Sequence, residues 1–130
     1  MKNRAGLAMI VLSLILVSFI RSSFSLDAVT TAIRSGNVDE LSTYLDSRVD
    51  IYLPEKSDSY SKSQAEMVIR DFFASHEVRN FQIKQKGENG PSEFCIGVLQ
   101  TRNGNYRTSL FMKQKGDKQV LQELRFQSVQ

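Results

Sequence analysis

From Leu26 onward the apolar positions change period three times, and each change marks an element. Leu26, Val29, Ala32 and Ile33 recur at helical spacing, and Gly36 follows where a left-handed terminating residue sits. Asn37 with Glu40 three residues on is a capping-box arrangement, and Val38, Leu41 and Leu45 give the second, short helix its stripe. Val49, Ile51 and Leu53 then alternate with Asp50 and Tyr52, a half-buried strand that Pro54 stops. The polar stretch Glu55 to Ser59 reads as a turn. Ser61 with Gln64, or Ser63 with Glu66, opens the strongest helix, in which Ala65, Val68, Ile69, Phe72 and Phe73 fall at i, i+3, i+4, i+7 and i+8. So broad a stripe has to lie on another layer, and the helix is expected to end near Ser75 and His76.

After Val78 the period becomes two. Phe81 and Ile83 begin a strand, and Gly87 to Ser92, containing Gly90-Pro91, reads as a loop. Glu93 to Arg102, Asn105 to Lys115 and Gln119 to Gln127 give three more strands, joined at Asn103-Gly104 and Gly116-Asp117. The result is an antiparallel meander. Phe94, Ile96 and Val98 share one face, as do Tyr106, Thr108, Leu110 and Met112, and as do Val120, Gln122, Leu124 and Phe126. These are assigned to the core beneath the long helix. The opposite face is not cleanly polar, because Leu99, Phe111 and Leu121 lie on it. A sheet with one wet face alternates more strictly. These three are therefore the candidate face for a homodimer, set against scattered surface hydrophobes.

The 130 residues leave room for one domain, and the net charge of +3 suggests an anionic partner only until its source is located. Residues 1–25 read as a secretory signal. Lys2 and Arg4 start it, Ala5 to Ile20 form an apolar run, and Ser23-Phe24-Ser25 offers small residues at a cleavage site. Three of the 17 cations leave with it, so the remaining domain, 26–130, holds 14 cations against 14 acids. The expected location is periplasmic or extracellular; the alternative is an uncleaved inner-membrane anchor. Charge still segregates: Leu26 to Glu77 holds 5 cations and 10 acids, Val78 to Gln130 holds 9 and 4. Lys84, Lys86, Arg107, Lys113 and Arg125 give the sheet a basic surface, read as solvated or as facing an acidic partner. Export argues against nucleic acid. The single cysteine, Cys95, rules out an internal disulfide and reads as a small core hydrophobe.

The order of elements, with a strand ending at Leu53-Pro54, a turn to Tyr60-Ser61, a long helix and four strands, resembles the α+β cone of the nuclear transport factor 2-like, or cystatin-like, fold. There three N-terminal helices pack on a curved antiparallel sheet. Ala32-Ile33-Arg34-Ser35-Gly36-Asn37, Tyr60 to Glu66, Asp71-Phe72-Phe73 and Asn103 to Arg107 resemble more narrowly a family of small exported bacterial domains of unknown function. The resemblance implies a cone whose mouth lies near Tyr44, Tyr52, Tyr60, Phe73 and Tyr106, with tyrosine hydroxyls able to reach a ligand. It leaves open isomerases, dehydratases and non-enzymatic binders.

The catalytic readings have little local support. An isomerase of this fold needs a carboxylate in an apolar pocket beside an oxyanion donor. Asp71 and Glu123, each with a tyrosine, are the candidates, although neither falls on an assigned core face. The one histidine, His76, sits beside Glu77 at a helix end, where it reads as a C-terminal cap. One His and one Cys supply no zinc-ligand set, and no phosphate-binding loop or serine elbow occurs. No metal or cofactor is expected. The chain is read as an exported domain that binds a small apolar ligand or an envelope protein, with isomerase or dehydratase as the alternative.

Overall fold

Among residues 25–129, which the computed structural model describes, a helix spans 25–35 (α1), followed by α2 (Val38–Ser42) and, later, α3 (Lys62–Ser75). The strands are β1 (Leu45–Tyr52), β2 (Ser57–Ser61), β3 (Val78–Asn89), β4 (Ser92–Thr101), β5 (Gly104–Lys115) and β6 (Lys118–Val129). The expected signal lies outside the described residues except for Ser25. The helix termini follow the expected chemistry. Gly36 takes φ +66° after α1. Asn37 Oδ1 accepts from Glu40 N at 3.1 Å, and at α3 both halves of the Ser61–Gln64 capping box form.

The six strands form one sheet in the order β2-β1-β6-β5-β4-β3, with the helices packed on one face. The fold is α+β, as expected, but the sheet is not wholly antiparallel: β1 runs parallel to β6. β1 also begins at Leu45 rather than at Val49. The supposed turn Glu55 to Ser59 is largely β2, so the connection shrinks to a bend in which Leu53 N donates to Lys56 O at 2.8 Å. The supposed loop Gly87 to Ser92 is likewise mostly strand. Gly90, at φ +60°, and Pro91 make a two-residue turn, and pairing runs on to Asn89↔Ser92.

The largest correction concerns which side of β4 is buried. Phe94, Ile96 and Val98 face outward, while Glu93, Cys95, Gly97, Leu99 and Thr101 face the helices. Core space decides this. The Phe81 ring, from β3, occupies the volume over Gly97, where a Cβ would sit 2.7 Å from Phe81 Cε1 and 2.6 Å from Gln82 O. Only a bare strand accepts the ring. On the outer face the Phe94 ring covers Gly87 in the same way. In β6 a bulge opposite Phe111 and Met112 resets the alternation, so Leu121 joins Leu124 and Phe126 inside while Val120 and Gln122 turn out. Two of the three proposed dimer-face residues, Leu99 and Leu121, are therefore 0% exposed core side chains; Phe111 alone remains outside, 39% exposed.

Candidate functional site

The C-terminal turn of α3 builds an aromatic cleft. Helical spacing puts Phe72 and His76 one above the other, and their rings stack at 4.3 Å and 21°. Phe72 also stacks on Phe126 of β6 at 4.4 Å, and Tyr106 of β5 sets its ring edge-on to both Phe72 (5.5 Å, 79°) and His76 (5.1 Å, 88°). Such offset and edge geometries each contribute about 0.5–1.5 kcal/mol beyond burial. The floor is thus a rigid aromatic block. Above it the β1–β2 bend contributes Leu53, Pro54, Glu55 and Lys56, and Ser128 closes one side, leaving a cleft of about 310 Å³. That is near the lower end of the roughly 300–1,000 Å³ typical of small-molecule sites.

His76 is the C-cap of α3, as its position implied, and it also lines this cleft. Its Nδ1 lies 2.9 Å from Phe72 O. A carbonyl only accepts, so Nδ1 carries a proton, and in the neutral ring Nε2 is left as an acceptor.

Of the five ring residues expected at the mouth, only Tyr106 lines this cleft. Phe73 is buried behind it, edge-on to Phe126 at 6.3 Å. Tyr52 lies on the outer face of the sheet under the Arg125 guanidinium, 4.2 Å from ring centroid to Cζ, and lines a polar cleft with Asp50, Ser57, Asp58 and Ser59. Tyr44 and Tyr60 are half-buried and pack against the core elsewhere. A single tyrosine rim does not form. The candidate acids are equally scattered: Asp71 is exposed on α3, and Glu123 pairs with Phe111 across β5–β6 on the outer face. Among the described residues no group of three acids, histidines or cysteines is arranged to hold a metal. Cys95 is fully buried, and that burial raises its thiol pKa.

Two carboxyls are held inside at the opposite end of the sheet, and neither was singled out by pattern. Burial pushes the Asp46 pKa up, but Lys115 Nζ at 2.8 Å, Gln122 Nε2 at 3.1 Å and Ser47 N at 2.7 Å outweigh it, and the net shift is downward. Glu93 is the reverse case. It is 5% exposed and lines a cleft of about 320 Å³; burial, then the neighbouring Glu88 and Asp27, push its pKa up against Lys86. The signal for Glu93 was its place two residues before Cys95, on the face that Gly97 shows to be inward.

The sequence model of the family described as Domain of unknown function (DUF4783) matches residues 26–127. A crystal structure of a DUF4783 family protein from Bacteroides uniformis is similar at 34% identity and TM-score 0.77, covering 80% of this chain and 96% of that one. One from Bacteroides ovatus is similar at 29% identity and TM-score 0.77, covering 79% and 94%. A candidate dehydratase of the NTF2-like family from Streptomyces avermitilis matches at 12% identity and TM-score 0.63, over 87% and 97%, a likeness of fold alone. No curated protein matches the chain.

Proposed function

This chain belongs to the DUF4783 family, whose description assigns no activity, and we propose that it is a binding domain that takes a small, largely apolar, ring-containing ligand in the aromatic cleft. The observation that carries this is the Phe72–His76–Tyr106 block. It offers flat surfaces for stacking, an apolar wall at Leu53 and Pro54, and one placed acceptor at His76 Nε2. A ligand with a planar apolar body and one N–H or O–H donor fits that inventory. Glu55 and Lys56 stand at the rim, exposed, where they bias the charge of what enters.

A binding role fits better than the isomerase or dehydratase reading because neither Asp71 nor Glu123 reaches this cleft. The experiment is a screen of indole, benzamide and benzoate by amide and side-chain NMR. Binding shifts the signals of Phe72, His76 and Tyr106, and Tyr106→Ala abolishes the shifts while the far-side core signals stay in place. Shifts clustering elsewhere refute the assignment, and turnover of a bound probe moves the reading to catalysis.

A second observation supports pairing through the outer face of the sheet. Phe94, Ile96, Val98 and Phe111 are contiguous there, with the Phe94 and Phe111 rings 6.3 Å apart. A second copy would present the same stripe back, and the outer face carries both acids, Asp50 and Glu123, and cations, Arg107 and Lys113, a mixture that suits self-pairing in an isologous dimer. Envelope protein as the partner is the competing outcome. Sedimentation at micromolar concentration reads dimer for the native chain and monomer for Phe111→Asp; a native monomer throughout refutes self-pairing.

A further inference from the structure

Among the described residues Glu93 is an acid without a hydrogen-bond partner. It is 5% exposed, and among the described residues no hydrogen bond to it contributes to its titration. The cleft it lines is formed by Leu26 and Asp27 of α1, Lys86, Gly87 and Glu88 of β3, and Glu93 itself. From β5 the residue paired with it is Met112, which has no charge. Three carboxylates thus meet one ammonium, and that one, Lys86 Nζ, lies 3.3 Å from Asp27 Oδ1 at the exposed rim. Burial and the two neighbouring carboxylates disfavour the Glu93 anion, and a cation bound in the cleft would offset that cost.

The cation can come from the chain. Leu26 is 6% exposed and lines this cleft from the start of α1, with Asp27 beside it. Leu26 is also the first residue left if export cleavage falls after Ser25. Hydrolysis of the Ser25–Leu26 amide puts the oxygen of water on the Ser25 carboxyl, which leaves with the signal. Leu26 keeps the nitrogen as an amine, which is protonated at neutral pH given an ordinary pKa of about 7.7–8.0.

We propose that the cleft of Leu26, Asp27, Glu88 and Glu93 is a primary-ammonium site, filled by the α-amino group of Leu26 once the chain is cut after Ser25, with Glu93 as its counter-ion. An ammonium at the start of α1 would otherwise repel the positive end of the helix dipole. The three carboxylates turn that liability into an ion pair, so maturation completes the fold at the place where the signal was attached. This inference rests on the export reading and is independent of the aromatic cleft.

The same ammonium chemistry could be supplied by a free amine, and the test separates the two. Chains starting at Leu26 are prepared with a free and with an acetylated α-nitrogen, each with and without Glu93→Gln. The free chain is expected to melt above the acetylated one at pH 6.5, and Glu93→Gln should erase the gap while leaving the acetylated chain no less stable. Independently of that variant, the Leu26 amine should titrate about tenfold tighter for its proton than an ordinary terminus at about 7.7–8.0. Equal melting of the free and acetylated chains, or an unshifted amine, overturns the proposal. n-Butylammonium chloride should protect only the acetylated chain, with tetramethylammonium chloride as the salt control; equal protection of both forms makes a free amine the occupant and overturns it. The intact mass of the exported protein should begin at Leu26, and any other cut overturns it too.

Discussion

Replacing Gly97 by alanine tests the packing that decides which side of the sheet is the core. The new Cβ would lie 2.6 Å from Gln82 O and 2.7 and 2.8 Å from Phe81 Cε1 and Cζ, where ordinary contact begins at 3.4 Å. Something must therefore move by about 0.6–0.8 Å. The carbonyl belongs to paired strand backbone, and the ring is 1% exposed and has no space to retreat into. Overfilling a packed core typically costs about 1–3 kcal/mol, and two unyielding neighbours put this site at the upper end. Stiffening the unfolded chain returns about 0.4–1 kcal/mol, so the net loss is about 2 kcal/mol. With a urea slope of about 1–3 kcal/mol per molar, the unfolding midpoint falls by about 1 M. Phe81→Leu opens room for the methyl group, so the double variant should be less destabilised than the sum of the single ones, with a coupling of about 1 kcal/mol. A midpoint unchanged within error for Gly97→Ala, or strict additivity with Phe81→Leu, would refute the account of the face.

Three further outcomes follow from other contacts. Asp46 titrates below an ordinary aspartate when folded, so its stabilisation is whole above about pH 4 and is lost as pH falls through the lower folded value. Asp46→Asn should therefore flatten the acid side of the stability–pH curve and cost about 1–2 kcal/mol at neutral pH, discounted for the half-exposed Lys115; an unchanged acid limb sinks this. Ser61→Ala removes the acceptor for Gln64 N and should cost about 1 kcal/mol, or about 4–8 °C in Tm, by calorimetry. Phe111→Asp, at a 39% exposed position, should leave the Tm of the dilute chain within a few degrees while removing self-association; a large drop would show that the ring belongs to the fold rather than to an interface.

The helices were legible because their signals are local. Ser61 and Gln64 sit three apart and bond reciprocally, and the stripe from Ala65 to Phe73 is a matter of period. The β4 face was not legible in the same way. Phe94, Ile96 and Val98 are the larger apolar set, and hydrophobicity alone sends them inward. The decisive facts are that Phe81 arrives from another strand and that Gly97 is the residue able to receive it, which is pair information rather than period. β6 failed for a related reason, since one bulge moves Leu121 across the sheet and no local residue type announces it. β2, reading Ser-Asp-Ser-Tyr-Ser, is a strand because β1 pairs with it, not because its composition favours one. The site shared these limits: the cap position of His76 was readable, whereas its stacking in a cleft with Tyr106 needed the β5 register.

The division of the interior by chemistry then explains why the tyrosines never gathered into a rim. At the end where α3 stops, Phe72, Phe126, Tyr106 and His76 satisfy one another by ring geometry, and what remains for a ligand is a shallow aromatic shelf under the β1–β2 bend. At the other end, where β4 begins and β5 turns into β6, the inward positions are polar: Glu93, Asp46 and Gln119 are all buried there. Asp46 recruits Lys115 and Gln122 and is stabilised as an anion. Glu93 has no hydrogen-bond donor among the described residues, and Lys86 is outweighed by burial, Glu88 and Asp27, so it is destabilised as one. Two carboxyls of similar burial thus differ in their neighbours: Asp46 has its own ammonium and two N–H donors, whereas Glu93 has two further carboxylates and an ammonium already paired with Asp27. One end of the interior is thus closed by rings up to a shallow cleft, while the other leaves Glu93 without a hydrogen-bond partner among the described residues, which is the place where the proposed Leu26 ammonium would supply the missing charge.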